Sequence, residues 1–255
     1  MQTRLTSESH LNLGTAAWTI PKEIKSLFPE TGSHLERYSS RLNAVEINTS
    51  FYRDHKAVSY ERWAASVPEG FKFSVKLSNV FTHEQKLKKG EKNLKENLNT
   101  ICHLKNKLGC LLIQLPPSLS YVPHIAESFF SEVRDSYQGP IALEPRQGTW
   151  DQASALALND KYLISRVIAD PEPYVRGSHF EPAAASMIYF RLHGSPEIYK
   201  SKYEYPRIQK YAERIQILQN RGHQVWCIFD NTTFGFATSN ALELSEILRT
   251  NIASV

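Results

Sequence analysis

The sequence predicts an α/β fold of one kind: a TIM-like (β/α)8 barrel with a closed parallel sheet, in a single domain. Three observations predict it. Eight short apolar runs alternate along the chain with stretches of helical periodicity. The 255 residues are about what one such barrel needs. No Gly-x-Gly-x-x-Gly turn follows the first run and no P-loop is present, which argues against an open nucleotide-binding sheet.

Residues 1–10 are polar and aperiodic and read as a flexible tail, so the barrel is expected over residues 11–255. The first strand is Leu11–Gly14. A helix over Ser33–Leu42 starts at Ser33 and carries Leu35, Tyr38 and Leu42 at helical spacing. The second strand, Ala44–Asn48, is followed by a helix over Ser59–Val67 that holds Trp63. The third strand, Phe71–Leu77, precedes a helix over Asn93–Leu108. That helix repeats Leu94, Leu98, Ile101, Leu104 and Leu108, and Gly109 is placed to end it as a C-terminal cap. Then come strand Cys110–Leu115, helix His124–Ser136, strand Ile141–Glu144 and helix Thr149–Leu158. After the sixth strand, Arg166–Asp170, the link Pro171–Ser186 is poor in helix signal, and Pro171, Pro173 and Pro182 favour loop. The seventh strand is Met187–His193. A helix over Tyr205–Arg221 repeats Ile208, Tyr211, Ile215 and Leu218 and stops at Gly222. Strand Gln224–Asp230 and helix Thr238–Leu248 complete the pattern.

Apolar residues make up 41% and charged residues 22%, ordinary values for a globular chain with a sizeable core. A net charge of +4 and a pI near 8.8 describe a slightly basic protein. The longest basic cluster, Lys86–Lys92, is diluted by Glu91 and reads as a solvated loop. No ordered series of basic and aromatic residues maps to one face, so a nucleic-acid partner is not favoured. Cys102, Cys110 and Cys227 are odd in number and lack Cys-x-x-Cys spacing. Cys110 and Cys227 lie inside apolar runs and read as buried thiols, which suits a reducing, cytoplasmic compartment. No apolar run is long enough to cross a bilayer, and no secretory signal opens the chain.

The functional argument rests on strand parity. Side chains alternate faces along a strand, so residues i and i+2 share one face. Val45 and Ile47 oppose Glu46 and Asn48; Phe73, Val75 and Leu77 oppose Ser74 and Lys76; Ile188, Phe190 and Leu192 oppose Tyr189, Arg191 and His193. One face is apolar and suits packing against helices, while the other ends in polar residues that would converge at the carboxyl-terminal mouth, where barrel enzymes keep their sites. Glu46, Asn48, Lys76, Gln114, Glu144, Arg146, Asp170, Arg191 and His193 are therefore placed around that mouth, together with either Asp230 or Asn231. The acids and bases of this set could simply neutralise one another. Burying ions costs several kcal/mol each unless they are well paired, roughly the whole stability margin of a domain. A barrel that Val, Ile and Leu fill well has no structural need of them, which favours a functional site.

At these residues the chain resembles the YecE-like proteins, domain of unknown function 72. The resemblance runs from Leu13 to Leu248 and rests on motifs in order. These are Gly14–Trp18; Val45–Tyr52; Trp63 with Pro68 and Phe71–Lys76; Thr82-His83; Gln114–Pro117; Glu144-Pro-Arg146 with Trp150; Asp170; Arg191–Gly194 with Tyr199 and Tyr203; and Phe229–Thr232 with Gly235, Ala237, Asn240 and Ala241. The resemblance implies a TIM-like barrel and supplies no reaction. The chain departs from the usual pattern at Ala16, Ala17, Pro145 and Gln147.

The leading expectation is an enzyme acting by acid/base chemistry on a small polar ligand bearing phosphate or carboxylate. Arg146 and Arg191 offer planar forks for such an anion. Glu46, Glu144 or Asp170 is a candidate general base, His193 its acid/base partner, and Lys76 an ion-pair partner or amine nucleophile. Asn48, His83, Gln114, Tyr199, Tyr203 and Asn231 are the candidate ligand contacts, with Trp18 and Phe51 as lining. No cofactor is expected. The alternative is a divalent-metal enzyme, sugar isomerase-like or phosphodiesterase-like, holding Mg or Mn on Glu144, Asp170, His193 and Asp230. A second alternative is a non-catalytic ligand- or nucleic-acid-binding barrel.

Overall fold

Eight parallel strands pair in chain order and close on themselves. The computed structural model describes residues 11–173 and 187–253. The tail expected over residues 1–10 lies outside the described residues, as does most of the proline-bearing link after the sixth strand, Pro182 included. The strands are β1 Leu11–Thr15, β2 Ala44–Ile47, β3 Lys72–Lys76, β4 Leu108–Gln114, β5 Ile141–Glu144, β6 Ile164–Asp170, β7 Met187–Leu192 and β8 Gln224–Phe229. The helices are α1 His34–Ser39, α2 Ala57–Ala65, α3 Leu94–Ile101, α4 Pro123–Ser136, α5 Ala153–Lys161, α6 Tyr205–Asn220 and α7 Phe236–Ala253. Closure is made by β1 on β8, in register from Leu11 opposite Val225 to Thr15 opposite Phe229. Among the described residues no helix is long and apolar enough to cross a membrane.

The alternation in the strands sorts side chains into two cores. Val45, Ile47, Phe73, Val75, Leu111, Ile113, Leu143, Ile188, Phe190, Leu192, Cys227 and Phe229 belong to the layer between strands and helices. Ala44, Cys110, Leu112, Ala142, Val167, Tyr189, Trp226 and Ile228 fill the barrel itself. Tyr189 and Trp226 stack there, ring centroids 5.7 Å apart and 9° from parallel. β1 and β2 approach so closely that a Cβ on Gly14 would overlap the Ala44 carbonyl. Tyr38 of α1 reaches the same point: its hydroxyl accepts from Thr15 N at 2.9 Å and donates to Ala44 O at 3.0 Å.

Two local expectations are corrected. Ser33 does cap α1, in a capping box with Glu36. The helix before β4, however, ends at Ile101 and passes into a 3-10 turn over Cys102–Lys107, where Lys105 takes the left-handed conformation with φ of 54°. Gly109 is no cap; it is the second residue of β4, where a Cβ would stand 2.6 Å from the Trp226 ring. The glycine answers a packing demand of the barrel interior rather than a helix end. The sequence also gave no sign of the single π-helical turn over Val80–Glu84, which carries His83 past the end of β3.

Candidate active site

The mouth of the barrel is organised around Arg191, which β7 points along the axis and which is fully buried. Its Nε donates to Glu46 Oε2 at 3.0 Å and its Nη2 to Glu46 Oε1 at 2.8 Å, a two-pronged pairing that fits a planar guanidinium to a carboxylate. Nη1 donates to Glu144 Oε2 at 3.1 Å, and Nη2 lies 2.9 Å from Asp230 Oδ2. One guanidinium thus holds three carboxylates from β2, β5 and the end of β8. Beneath them the Tyr189 hydroxyl bridges Glu46 Oε2 at 3.1 Å and Ser74 Oγ at 2.9 Å.

His193 lies just past β7, two positions beyond Arg191 and on the same face. Its Nδ1 is 3.0 Å from Asp230 Oδ2 and its Nε2 3.2 Å from Glu144 Oε1. Burial opposes ionisation of all three groups. The Arg191 guanidinium and His193 outweigh it for the acids, holding Glu144 well below the usual carboxylate range and lowering Asp230. Burial would likewise lower His193, but the Glu144 charge and the hydrogen bonds the ring donates to both acids raise it. With a carboxylate facing each ring nitrogen, the geometry favours a His193 that donates from both, the imidazolium form.

Further groups form the rim over β3–β5. Arg146 Nη2 contacts Glu144 Oε1 at 3.3 Å and the Tyr199 hydroxyl at 3.3 Å, while its Nε is buried with no hydrogen-bond partner. Tyr199 sets its ring edge-on to His193 at 5.5 Å. Lys76 Nζ stands 3.9 Å above the Phe51 ring and forms no ion pair among the described residues. Burial and the Arg191 charge bring Lys76 down to about 8, against the pull of Glu46, Glu144 and Asp230. His83 packs edge-on to the same Phe51 ring at 4.9 Å, and burial, with Lys76 and Arg146, lowers its pKa. Gln114 pairs in register with Glu144, and its Oε1 is buried without a partner, as is Asn48 Oδ1.

Parity therefore places Glu46, Asn48, Lys76, Gln114, Glu144, Arg146, Arg191 and His193 at the mouth, and loops bring Tyr199 and His83 beside them. Three expected residues lie elsewhere. Asp170 points away from the axis, because on β6 it is Val167 and Ala169 that enter the barrel. Its carboxylate accepts from Arg207 Nη2 at 2.8 Å and from the Tyr211 hydroxyl at 2.7 Å, both on α6. Tyr203 is a buried pin in the β7–α6 loop; its hydroxyl accepts from Gly194 N at 2.9 Å and donates to Asp170 O at 2.9 Å. Asn231 turns into that loop, donating to Ser201 O and Asn240 Oδ1, and Asp230 takes the inward place. With Asp170 outside, the four residues considered for a divalent cation do not form one site, and a guanidinium already sits among the rest. Arg191 is likewise unsuited to the anion-binding role expected of it, since its donors are engaged internally. Tyr189 was missed as part of the site, although it lies two residues before Arg191 on the same face.

Fold and site together define a class: a (β/α)8 barrel whose carboxyl-terminal mouth holds a buried ionic cluster with a cationic rim. The family described as Protein of unknown function DUF72 matches residues 12–255. The chain belongs to this family. It is 24% identical over 256 residues to the UPF0759 protein YunF of Bacillus subtilis, covering 86% of this chain and 89% of that protein. It is 27% identical over 104 residues to the UPF0759 protein YecE of Escherichia coli K12, covering 41% of this chain and 37% of that one. Crystal structures of DUF72 family proteins share the fold. One from Enterococcus faecalis superposes with a TM-score of 0.75 at 22% identity, over 94% of this chain and 95% of that one. One from Thermotoga maritima gives 0.74 at 24% identity, over 94% and 99%.

Proposed function

We propose that the chain is an enzyme that binds a small ligand bearing a carboxylate or phosphate and moves protons on it at the barrel mouth. The observation that carries this reading is the division among the cations. Arg191 is engaged by three carboxylates, whereas Lys76 has no ion-pair partner among the described residues and Arg146 keeps a buried donor unused. Three buried carboxylates face four cations once His193 is counted, so the cluster favours one more negative charge. An anion seated between Lys76 and Arg146 supplies it. Arg146 meets Glu144 through one long contact of 3.3 Å, which an incoming anion can replace. Glu144 then faces His193 alone on that side, a carboxylate–imidazolium pair suited to giving and taking a proton. The three free cysteines fit a reducing, cytoplasmic setting.

Calorimetric titration of the full chain with sulfate and with acetate tests this. Lys76→Met and Arg146→Met are each expected to weaken binding about tenfold, which is roughly 1.4 kcal/mol. Because Lys76 titrates at about 8, affinity should begin to fall as pH rises past that value, and Lys76→Arg should carry it to higher pH. Binding that is absent, or equal in wild type and both Met variants, overturns the reading.

A further inference from the structure

The anion site leaves one cavity of the mouth unused. It lies on the β1–β2 side, has a volume of about 270 Å³, and its walls include Ala16, Trp18, Glu46, Asn48, His55 and Trp63. Its aromatic wall is fixed in advance. Trp18 meets Trp63 edge-on at 5.2 Å, His55 meets Trp63 at 4.9 Å, and buried Tyr60 backs Trp63 at 5.5 Å. The His55 ring is itself held by a 2.9 Å contact between its Nε2 and Thr49 Oγ1. Side chains locked before binding lose little freedom when a ligand arrives.

Several polar groups of the cavity are engaged, while the exposed Arg53, His34 and Thr19 also line it. Glu46 is taken by Arg191 and Tyr189, and His55 and Thr49 hold each other. Asn48 Oδ1 is an acceptor cut off from water with no partner. A flat ring with one donor brings what the wall lacks and offers its faces to the indoles.

The cavity is joined to the anion site by short covalent distances. Glu46 borders both. The turn that follows Asn48 is tied to β3 by Ser50 Oγ donating to Lys76 O at 2.6 Å, and one residue on, Phe51 carries Lys76 Nζ over its ring. We propose that this cavity receives the aromatic or heteroaromatic ring of the ligand whose acid group sits on Lys76 and Arg146, with a ring N–H or O–H donating to Asn48 Oδ1. The substrate class is then a small aromatic acid or phosphate. This rests on the anion reading above.

The test is calorimetry on the full chain with acetate, cyclohexanecarboxylate, benzoate, and 3- and 4-hydroxybenzoate. Benzoate is expected to bind about tenfold tighter than acetate and cyclohexanecarboxylate, and one hydroxybenzoate tighter still. Trp18→Ala should erase the gain of benzoate over acetate while leaving acetate unchanged, and Trp18→Phe should keep most of it. Asn48→Leu should erase only the gain from the hydroxyl. Benzoate binding no tighter than acetate overturns the ring site and leaves the anion site standing. Failure of both to bind overturns the two together.

Discussion

Arg191 is the residue on which the mouth depends. Removing it strands Glu46, Glu144 and Asp230 in a buried space, and an uncompensated buried charge costs about 3–5 kcal/mol. Arg191→Met is therefore expected to lower the unfolding free energy in urea by an amount of that order, and adding Glu46→Gln should recover part of it. An unchanged midpoint would show that water reaches these acids. Titration gives a second test at this scale. His193 is raised in the folded state, so the stability it adds is full below its unfolded value near 6.5 and is lost as pH climbs through the raised one. Glu144 and Asp230 are lowered, so theirs is present above the ordinary carboxylate range and lost as pH falls through the depressed values. Lys76 acts oppositely to His193: depressed to about 8 from 10.5, it makes stability rise with pH between those values. The stability difference between wild type and His193→Asn should shrink as pH rises from 6.5; a difference independent of pH would contradict the imidazolium. Glu46, Lys76, Glu144, Arg191 and His193 were legible because parity alone puts them on one face. Their partners were not, since parity says which way a side chain points and nothing of which acid a guanidinium meets.

β6 shows why an element resists reading from its last residue. Asp170 ends an unbroken buried strand, Ile164–Asp170, and its face is set by which of its apolar neighbours the barrel admits. Apolar residues on both faces carry no alternation to read, and the small Ala169 took the inward place. Asp170 is consequently a clamp between β6 and α6 through Arg207 and Tyr211. Asp170→Asn should cost about 1–2 kcal/mol in a urea titration, discounted for the solvent around Arg207, and leave sulfate and acetate affinity intact. A loss of anion affinity without loss of stability would return Asp170 to the site. The helix before β4 teaches the same lesson from the other side. Its apolar repeat was legible as far as Ile101, but the use of Gly109 inside β4 depends on Trp226, more than a hundred residues away in sequence.

At the scale of the molecule, the order of the strands and their closure followed from length and alternation, because each apolar run was too short for a helix and each link long enough to cross back. Closure leaves β1 and β8 as neighbours rather than edges. Hydrogen exchange should therefore find the amides of β1 and β8 as protected as those of β4; much faster exchange in either would mean a seam that opens. Tyr189 and Trp226, neighbours on β7 and β8, stack side by side and reach across the barrel to Ser74 and Gly109, giving the cylinder a floor. Whatever enters at the top has to leave by the same door. On the proposed reading, substrate and product share that one site, and inhibition by product is expected to be competitive with substrate.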